Sequence, residues 1–131
     1  AAAVADYRCS EIAVQKIKKN DQTFVLELEK NPDILAEVAG SIKKPFTVGF
    51  AAETESLQEN AKTKLYNKNL DMIAANIVGE GLGIDTEDNS LELLWRGGGI
   101  NLGHASKLKL ARQMVKIIAD RYHEKNTNKS H

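Results

Sequence analysis

The sequence predicts a three-layer α/β fold, in which helices cover both faces of a mostly parallel β-sheet and a β-hairpin extends that sheet. Short apolar runs with the periodicity of strands alternate along the chain with longer runs of helical periodicity, which is typical of this class. Three consecutive glycines, residues 97–99, separate two strand-like runs and predict the hairpin. At 131 residues the chain has the length of one ordinary domain with a hydrophobic core.

The first residues predict a strand and suggest a fragment. Residues 1–5 are apolar and end at Asp6, so we predict a buried strand whose far end lies at the functional edge of the sheet. The chain has no initiator Met, and natural proteins seldom start flush with a buried strand. We therefore expect the C-terminal fragment of a larger domain.

A strand pair and a helix follow. Residues 23–28 predict a strand that pairs with residues 14–18 through a polar turn. Asn31 as the N-cap and Pro32 at the first helical position predict the start of a helix, which runs to about Gly40.

The middle of the chain predicts the main sheet. Residues 46–51 predict a strand, residues 55–67 a helix and residues 70–78 another strand. The strands of the predicted hairpin are residues 91–95 and 100–102.

The last predicted helix covers residues 106–124 and is followed by a polar tail, residues 125–131, which we expect to be disordered. The domain is therefore expected to span residues 1–124. The helical period places five apolar side chains on one stripe that would face the core. They are Leu108, Ala111, Val115, Ile118 and Tyr122.

Charge and composition exclude several classes of protein. The 18 lysines and arginines balance 18 aspartates and glutamates, which argues against a general nucleic-acid binder. No apolar run approaches the length of a membrane span, and no signal peptide opens the chain. The single cysteine, Cys9, cannot form an internal disulfide and fits a reducing compartment. We expect a cytoplasmic protein that binds neither nucleic acid nor membrane.

Three features could bind an anion. The predicted helix start at residues 31–35 offers free backbone N–H groups. Lys64 and Lys68 lie four residues apart and share one face of a helix, and Lys16 and Lys18 share one face of a strand. Each feature also has a plain structural interpretation: a capped helix, two solvated lysines and a solvated strand face.

Other apparent motifs are excluded by the residues around them or by their spacing. The glycines of residues 79–83 follow a strand, but no helix follows them as a dinucleotide site requires. The acidic cluster of Asp85, Glu87 and Asp88 lacks the central glycine of a calcium loop. The histidines, at positions 104, 123 and 131, share no metal-ligand spacing, so we predict no metal-binding residue. Cys9 has no nearby histidine and fits a small packed residue better than a nucleophile.

Four motifs in chain order carry a family resemblance: Ala2-Ala3-Val4-Ala5-Asp6-Tyr7-Arg8, Lys16-Ile17-Lys18-Lys19, Lys30-Asn31-Pro32-Asp33-Ile34 and Gly49-Phe50-Ala51-Ala52-Glu53-Thr54. In order and spacing they resemble phosphopantothenate–cysteine ligase, whose fold is Rossmann-like. The likeness extends through residues 68–71, 75–76, 88–89, 94–95 and 122–125. It covers nearly the whole chain and is weakest at residues 20–29 and 96–105.

The resemblance implies an enzyme that joins 4′-phosphopantothenate to cysteine at the expense of CTP, through an acyl-cytidylate, with Mg²⁺ as the cation. In bacteria this activity usually forms the C-terminal half of a bifunctional coenzyme A biosynthesis protein. FMN then belongs to the decarboxylase half and not to this chain. The family is dimeric, so a homodimer is expected.

The resemblance also implies site residues. Phe50 would belong to the base pocket, Asp6 would contact the ribose or the base, and Lys64 with Lys68 would contact the triphosphate. Lys16 would be the catalytic cation. The implied CTP-binding set is Asp6, Lys16, Pro32, Asp33, Ile34, Leu35, Phe50, Lys64 and Lys68.

Two departures from the family pattern matter. The family usually has Asn-Asp-Val where this chain has Asn76-Ile77-Val78, which removes a carboxylate from that loop. The family's glycine-rich N-terminal loop and its Asn-bearing segment are absent, so the chain alone is not expected to catalyse. One alternative is a non-catalytic nucleotide-binding or assembly module, against which the three lysines at positions 16, 64 and 68 argue. A dinucleotide-dependent oxidoreductase is excluded, because the sequence predicts no helix directly after Gly83.

Overall fold

The computed structural model describes residues 3–12, 24–77 and 88–129. The chain divides into two compact units, Ala1–Ile34 and Leu35–His131. None of the helices in the described ranges combines the length and apolar character that a membrane crossing requires.

The first unit contains a short antiparallel ribbon. Strand β1 (Tyr7–Cys9) pairs with strand β2 (Leu28–Lys30), so that Arg8 lies opposite Glu29. The Arg8 guanidinium also forms an ion pair with the Glu29 carboxylate at 2.7 Å. The backbone ladder continues beyond the strands, because the Asn31 N–H donates to the Asp6 carbonyl at 2.8 Å.

Two predictions for this unit were wrong. Residues 3–5 are exposed and form no strand, and the first strand begins only at Tyr7. The predicted strand at residues 23–28 lies further along the chain, at β2, and its partner is β1. Residues 14–18, the expected partner, lie outside the described residues.

Asn31, the predicted N-cap of the next helix, also differs from its prediction. Its side-chain amide donates to the Ala5 carbonyl at 2.7 Å, and its Oδ1 accepts from Arg8 at 2.9 Å. The side chain is therefore not the N-cap that we predicted. Helix α1 covers Ile34–Ala39 and begins three residues after Asn31.

The second unit contains the main sheet. It is formed by β3 (Val48–Glu53), β4 (Met72–Ile77), β5 (Asp88–Trp95) and β6 (Gly98–Ser106), in the order β3-β4-β5-β6. Helix α2 (Leu57–Asn67) connects the parallel strands β3 and β4. The α/β class with its hairpin extension is confirmed. Within the described part of the sheet, β3–β4 is the parallel pair, whereas β4–β5 and β5–β6 are antiparallel.

The hairpin between β5 and β6 turns on two residues, Arg96 and Gly97. Gly97 has a φ of +87°, a conformation that residues with a Cβ rarely adopt. The tight turn makes β6 antiparallel to β5.

Helices cover both faces of β4. On one face α1 and α2 pack against the sheet with Ala39, Ala61 and Leu65. On the other face helix α3 (Lys107–Lys129) packs with Leu110, next to Met72 and Leu93. The two layers of helices and the sheet between them form the three-layer arrangement that the sequence predicted.

The predicted stripe of α3 was wrong in part, and its predicted end was wrong. Leu108 and Val115 are each 63% exposed, whereas Ile118 packs on the sheet as predicted, together with Leu110, Met114 and Ile117. The helix carries apolar residues on two sides, so its period alone does not select the buried side. It also continues to Lys129, which places the first residues of the predicted tail in a helix.

Asp71 ties α3 to the start of β4. Its carboxylate accepts the Thr47 backbone N–H at 2.8 Å and forms an ion pair with Lys125 near the end of α3. Burial by itself would raise the pKa of Asp71, because it penalises the charged form. The hydrogen bonds from Lys125 and Thr47 and the charges of Lys125 and Lys44 outweigh burial, so the pKa lies below its ordinary value of 3.8.

We predict that Asp71→Asn lowers the free energy of unfolding by about 1–3 kcal/mol, because the substitution removes a charge from hydrogen bonds in a largely buried position. Glu124→Gln is the control, since Glu124 pairs with Arg121 on an exposed helix turn and its loss should cost less than about 0.5 kcal/mol. Urea denaturation at pH 7 measures both. Equal effects would contradict a special role for Asp71.

The same pair makes stability depend on pH. Because the folded-state pKa of Asp71 lies below its unfolded value, the charge stabilises the fold above about pH 3.8, and this contribution is lost as the pH falls through the folded pKa. The stability difference between the native chain and Asp71→Asn should therefore shrink below about pH 4. A constant difference from pH 7 to pH 3 would refute the lowered pKa.

Candidate functional site

The candidate site lies at the carboxyl ends of the parallel strands. β3 and β4 end side by side, with Glu53 opposite Ile77. In open α/β sheets, ligands bind outside this edge. Helix α2 begins here, and the residue before it, Ser56, has a left-handed φ of 49° and makes no side-chain capping bond. The first turn of α2 therefore has backbone N–H groups without a side-chain acceptor from Ser56.

A cavity of about 410 Å³ opens at this edge. The first turn of α2 forms one wall, and the end of β4, the first half of β5 and the middle of β6 form the other. Gln58 and Glu92 face each other across it, and the Gln58 amide donates to the Glu92 carboxylate at 2.6 Å. Among the described residues of the implied CTP-binding set, none lines this cavity.

Lys64 reaches the carboxyl end of β3 from helix α2. Its ammonium lies 2.7 Å from Oε1 of Glu53, the last residue of the strand. The Asn60 amide donates to the other carboxylate oxygen at 3.3 Å. The Glu53 side chain is only 10% exposed, whereas the Lys64 side chain is 45% exposed. The structure thus holds one predicted phosphate ligand beside a buried carboxylate.

Lys68 is the C-cap of α2, and its backbone N–H donates to the Lys64 carbonyl at 3.0 Å. The predicted proximity of the two lysines along one helix is therefore present in the structure. Cations near a helix C-terminus also interact favourably with the helix dipole, so their position has a structural benefit apart from any ligand.

Phe50 lies in the middle of β3 and is 60% exposed. Along this strand the buried residues Gly49, Ala51 and Glu53 alternate with exposed ones. Phe50 and Glu53 therefore project from opposite faces of the sheet. The structure does not place the Phe50 ring on the same face as the Lys64 ammonium.

The remaining implied residues are divided between the two units. Asp6, Pro32, Asp33 and Ile34 belong to the first unit and are exposed. The Asp6 carbonyl accepts from Asn31, so Asp6 lies beside the residue that precedes Pro32. Leu35 belongs to the second unit and packs against its core. Lys16 lies outside the described residues.

Sequence reasoning missed Glu53 and Asn60. The signal was present, because Glu53 occupies an inward position of the alternating strand and Asn60 precedes Lys64 by one helical turn. A search of the described ranges finds no group of three or more His, Cys, Asp or Glu residues that could hold a metal ion.

Comparison with known proteins assigns this architecture to a family. Residues 1–122 match the DNA/pantothenate metabolism flavoprotein C-terminal domain. The chain is 50% identical over 123 residues to the coenzyme A biosynthesis bifunctional protein CoaBC of Haemophilus influenzae, with 92% of this chain and 30% of that protein covered. It is 42% identical over 130 residues to CoaBC of Escherichia coli K12, covering 95% of this chain and 32% of that protein. The chain thus spans about a third of the length of these relatives.

Solved structures agree with this match. The crystal structure of the C-terminal domain of CoaBC superposes with a TM-score of 0.70 at 34% identity, covering 94% of this chain and 53% of that one. A DNA/pantothenate metabolism flavoprotein from Streptococcus pneumoniae has a TM-score of 0.62 at 20% identity, covering 80% of this chain and 45% of that one. The second likeness shows the shared fold alone.

Proposed function

This chain belongs to the family of DNA/pantothenate metabolism flavoprotein C-terminal domains, and on that premise we propose that it carries most of the CTP site of a phosphopantothenate–cysteine ligase in coenzyme A biosynthesis. Relatives named as coenzyme A biosynthesis proteins support the pathway. The observation that carries the proposal is the Lys64 ammonium at the carboxyl end of β3, where open α/β sheets bind ligands.

The proposed reaction has two steps. The carboxylate of 4′-phosphopantothenate attacks the α-phosphorus of CTP, an acyl-phosphate bond forms, and pyrophosphate leaves. The amine of cysteine then attacks the acyl carbon, CMP leaves with the bonding electrons, and the amine loses a proton. Because two anions must meet in the first step, cations that neutralise phosphate charge are the main contribution required of the protein.

Lys64 and Lys68 supply such cations in this proposal, and Lys16 supplies the one aimed at the reacting centre. Mg²⁺ enters as part of the substrate, since this ion is commonly held by nucleotide phosphates and water with few protein ligands. That route fits a described region without a metal-binding cluster. FMN belongs to the decarboxylase part of the complete protein and has no role for this chain.

Phe50 and Asp6 complete the proposed nucleotide site. The exposed Phe50 ring offers an aromatic face to the base, and the segment from Pro32 to Leu35 offers backbone groups. The proposal includes a homodimer and a cytoplasmic location.

We expect the complete protein to use CTP well and UTP or ATP poorly. Cytosine presents an exocyclic amine donor where uracil presents an acceptor, so a pocket that pairs with cytosine leaves buried polar groups unpaired with uracil. Rates of product formation with each nucleotide test this expectation. Equal rates with all three would eliminate the proposed base pocket.

Lys64→Ala and Lys68→Ala in the complete protein should each raise the KM for CTP by about tenfold, equivalent to about 1.4 kcal/mol. The kcat should change less, because the contact exists in the ground state and the transition state alike. Lys62→Ala is the control on an exposed position of the same helix and should leave both constants unchanged. An unchanged KM in both variants would mean that neither lysine contacts CTP and that their role is structural.

Lys16→Gln should bind CTP almost normally and lose about 10²–10³ in rate, because it removes a charge directed at the transition state. Lys18→Gln is the matched control on the same segment. Single-turnover assays with labelled CTP, following pyrophosphate and CMP separately, identify the affected step. Normal rates for Lys16→Gln in both steps would remove Lys16 from the active site.

A further inference from the structure

Glu53 is a carboxylate in an unusual position. It is the last residue of β3, its side chain is 10% exposed, and its strand neighbours on the same face are apolar. A buried carboxylate requires a charged or hydrogen-bonding partner, because desolvation penalises an isolated charge. The family resemblance gives it no role in the CTP site.

Helix α2 supplies both partners of Glu53. The Lys64 ammonium lies 2.7 Å from Oε1, and the Asn60 amide donates to Oε2 at 3.3 Å. Asn60 and Lys64 are one turn apart and therefore lie on the same side of the helix. Both oxygens of the carboxylate are thus engaged by one face of α2.

The pair is asymmetric in its exposure. The carboxylate lies inside, while the Lys64 side chain is 45% exposed. A lysine ammonium has three N–H donors, so the bond to Glu53 leaves two for another acceptor. A lysine side chain is otherwise flexible, and contact with a fixed buried group restricts the positions that its ammonium samples.

We propose that Glu53 is a positioning residue, which holds the Lys64 ammonium in place for the triphosphate before the nucleotide binds. This inference rests on the proposed function, in which Lys64 contacts CTP. A group held in its binding position loses less freedom when the ligand arrives, so affinity is gained without a new contact to the ligand. Glu53 itself touches no substrate in this account.

Two substitutions separate the reach of Glu53 from its charge. Glu53→Gln keeps the length of the side chain and an oxygen that can accept from Lys64, while the Asn60 amide keeps its bond to the Glu55 backbone carbonyl at 3.1 Å. Glu53→Asp keeps the charge but withdraws it by one methylene group. If position is the role, Gln should keep the CTP KM within about twofold, whereas Asp should raise it about three- to tenfold with little change in kcat. Glu55→Ala, at an exposed carboxylate nearby, is the control.

A double-mutant cycle then tests whether Glu53 acts through Lys64. In the complete protein, Glu53→Asp should raise the KM in the native background and add no further increase to Lys64→Ala. Urea denaturation of each variant reports any effect on stability, which a mere tie between α2 and β3 would change without affecting the KM.

The outcomes distinguish this inference from the proposed CTP site. If Lys64→Ala raises the KM but Glu53→Asp does not, or does so equally in both backgrounds, the positioning role is refuted and the CTP site stands. A higher KM for Gln than for Asp would also refute it, because charge and not reach would then matter. If Lys64→Ala leaves the KM unchanged, Lys64 has no role in CTP binding and both proposals for it fall.

Discussion

Burial of β4 on both faces is the constraint on which the rest of this structure depends. Met72, Ile73, Ala74 and Ala75 are each at most 1% exposed. Their burial requires helices on both sides of the sheet, and the backbone edges of the strand are paired with β3 and β5. A one-residue shift of β4 would exchange its two faces, so its register is strongly determined. The carboxyl ends of β3 and β4 are therefore held in a defined relation, which the candidate site requires.

Two ion pairs lie at opposite ends of the parallel strands β3 and β4, and they differ in their relation to the candidate site. Asp71 and Lys125 join the amino end of β4 to the last turns of α3, and the pair serves the fold. Glu53 and Lys64 join the carboxyl end of β3 to α2. Both cations are partly exposed, Lys125 by 34% and Lys64 by 45%, but Lys64 lies at the edge where ligands bind in such sheets. The second interaction can therefore both satisfy a buried carboxylate and prepare a cation for a phosphate.

The elements of the main sheet were predictable because their signals are local. Apolar runs and turn residues indicated β3, β4, α2 and the hairpin, with ends that differ by a few residues from those observed. The face of α3 was not predictable from its period, since Leu108 and Leu110 are both apolar and only Leu110 is buried. Asn31 has the chemistry of an N-cap but bonds to Ala5 and Arg8 instead. In each case a competing contact from a distant residue decided the outcome.

The sequence by itself determined the class of fold and the family, and it predicted which lysines the proposed CTP site would use. Those conclusions depend on residue types and spacing, which the chain carries in full. Only the tertiary structure decided that Lys64 pairs with Glu53, that Phe50 projects from the opposite face, and that Lys125 belongs to a helix tied to Asp71. These facts depend on distances between residues far apart in the chain, and such distances arise only when the sheet and its helices pack together.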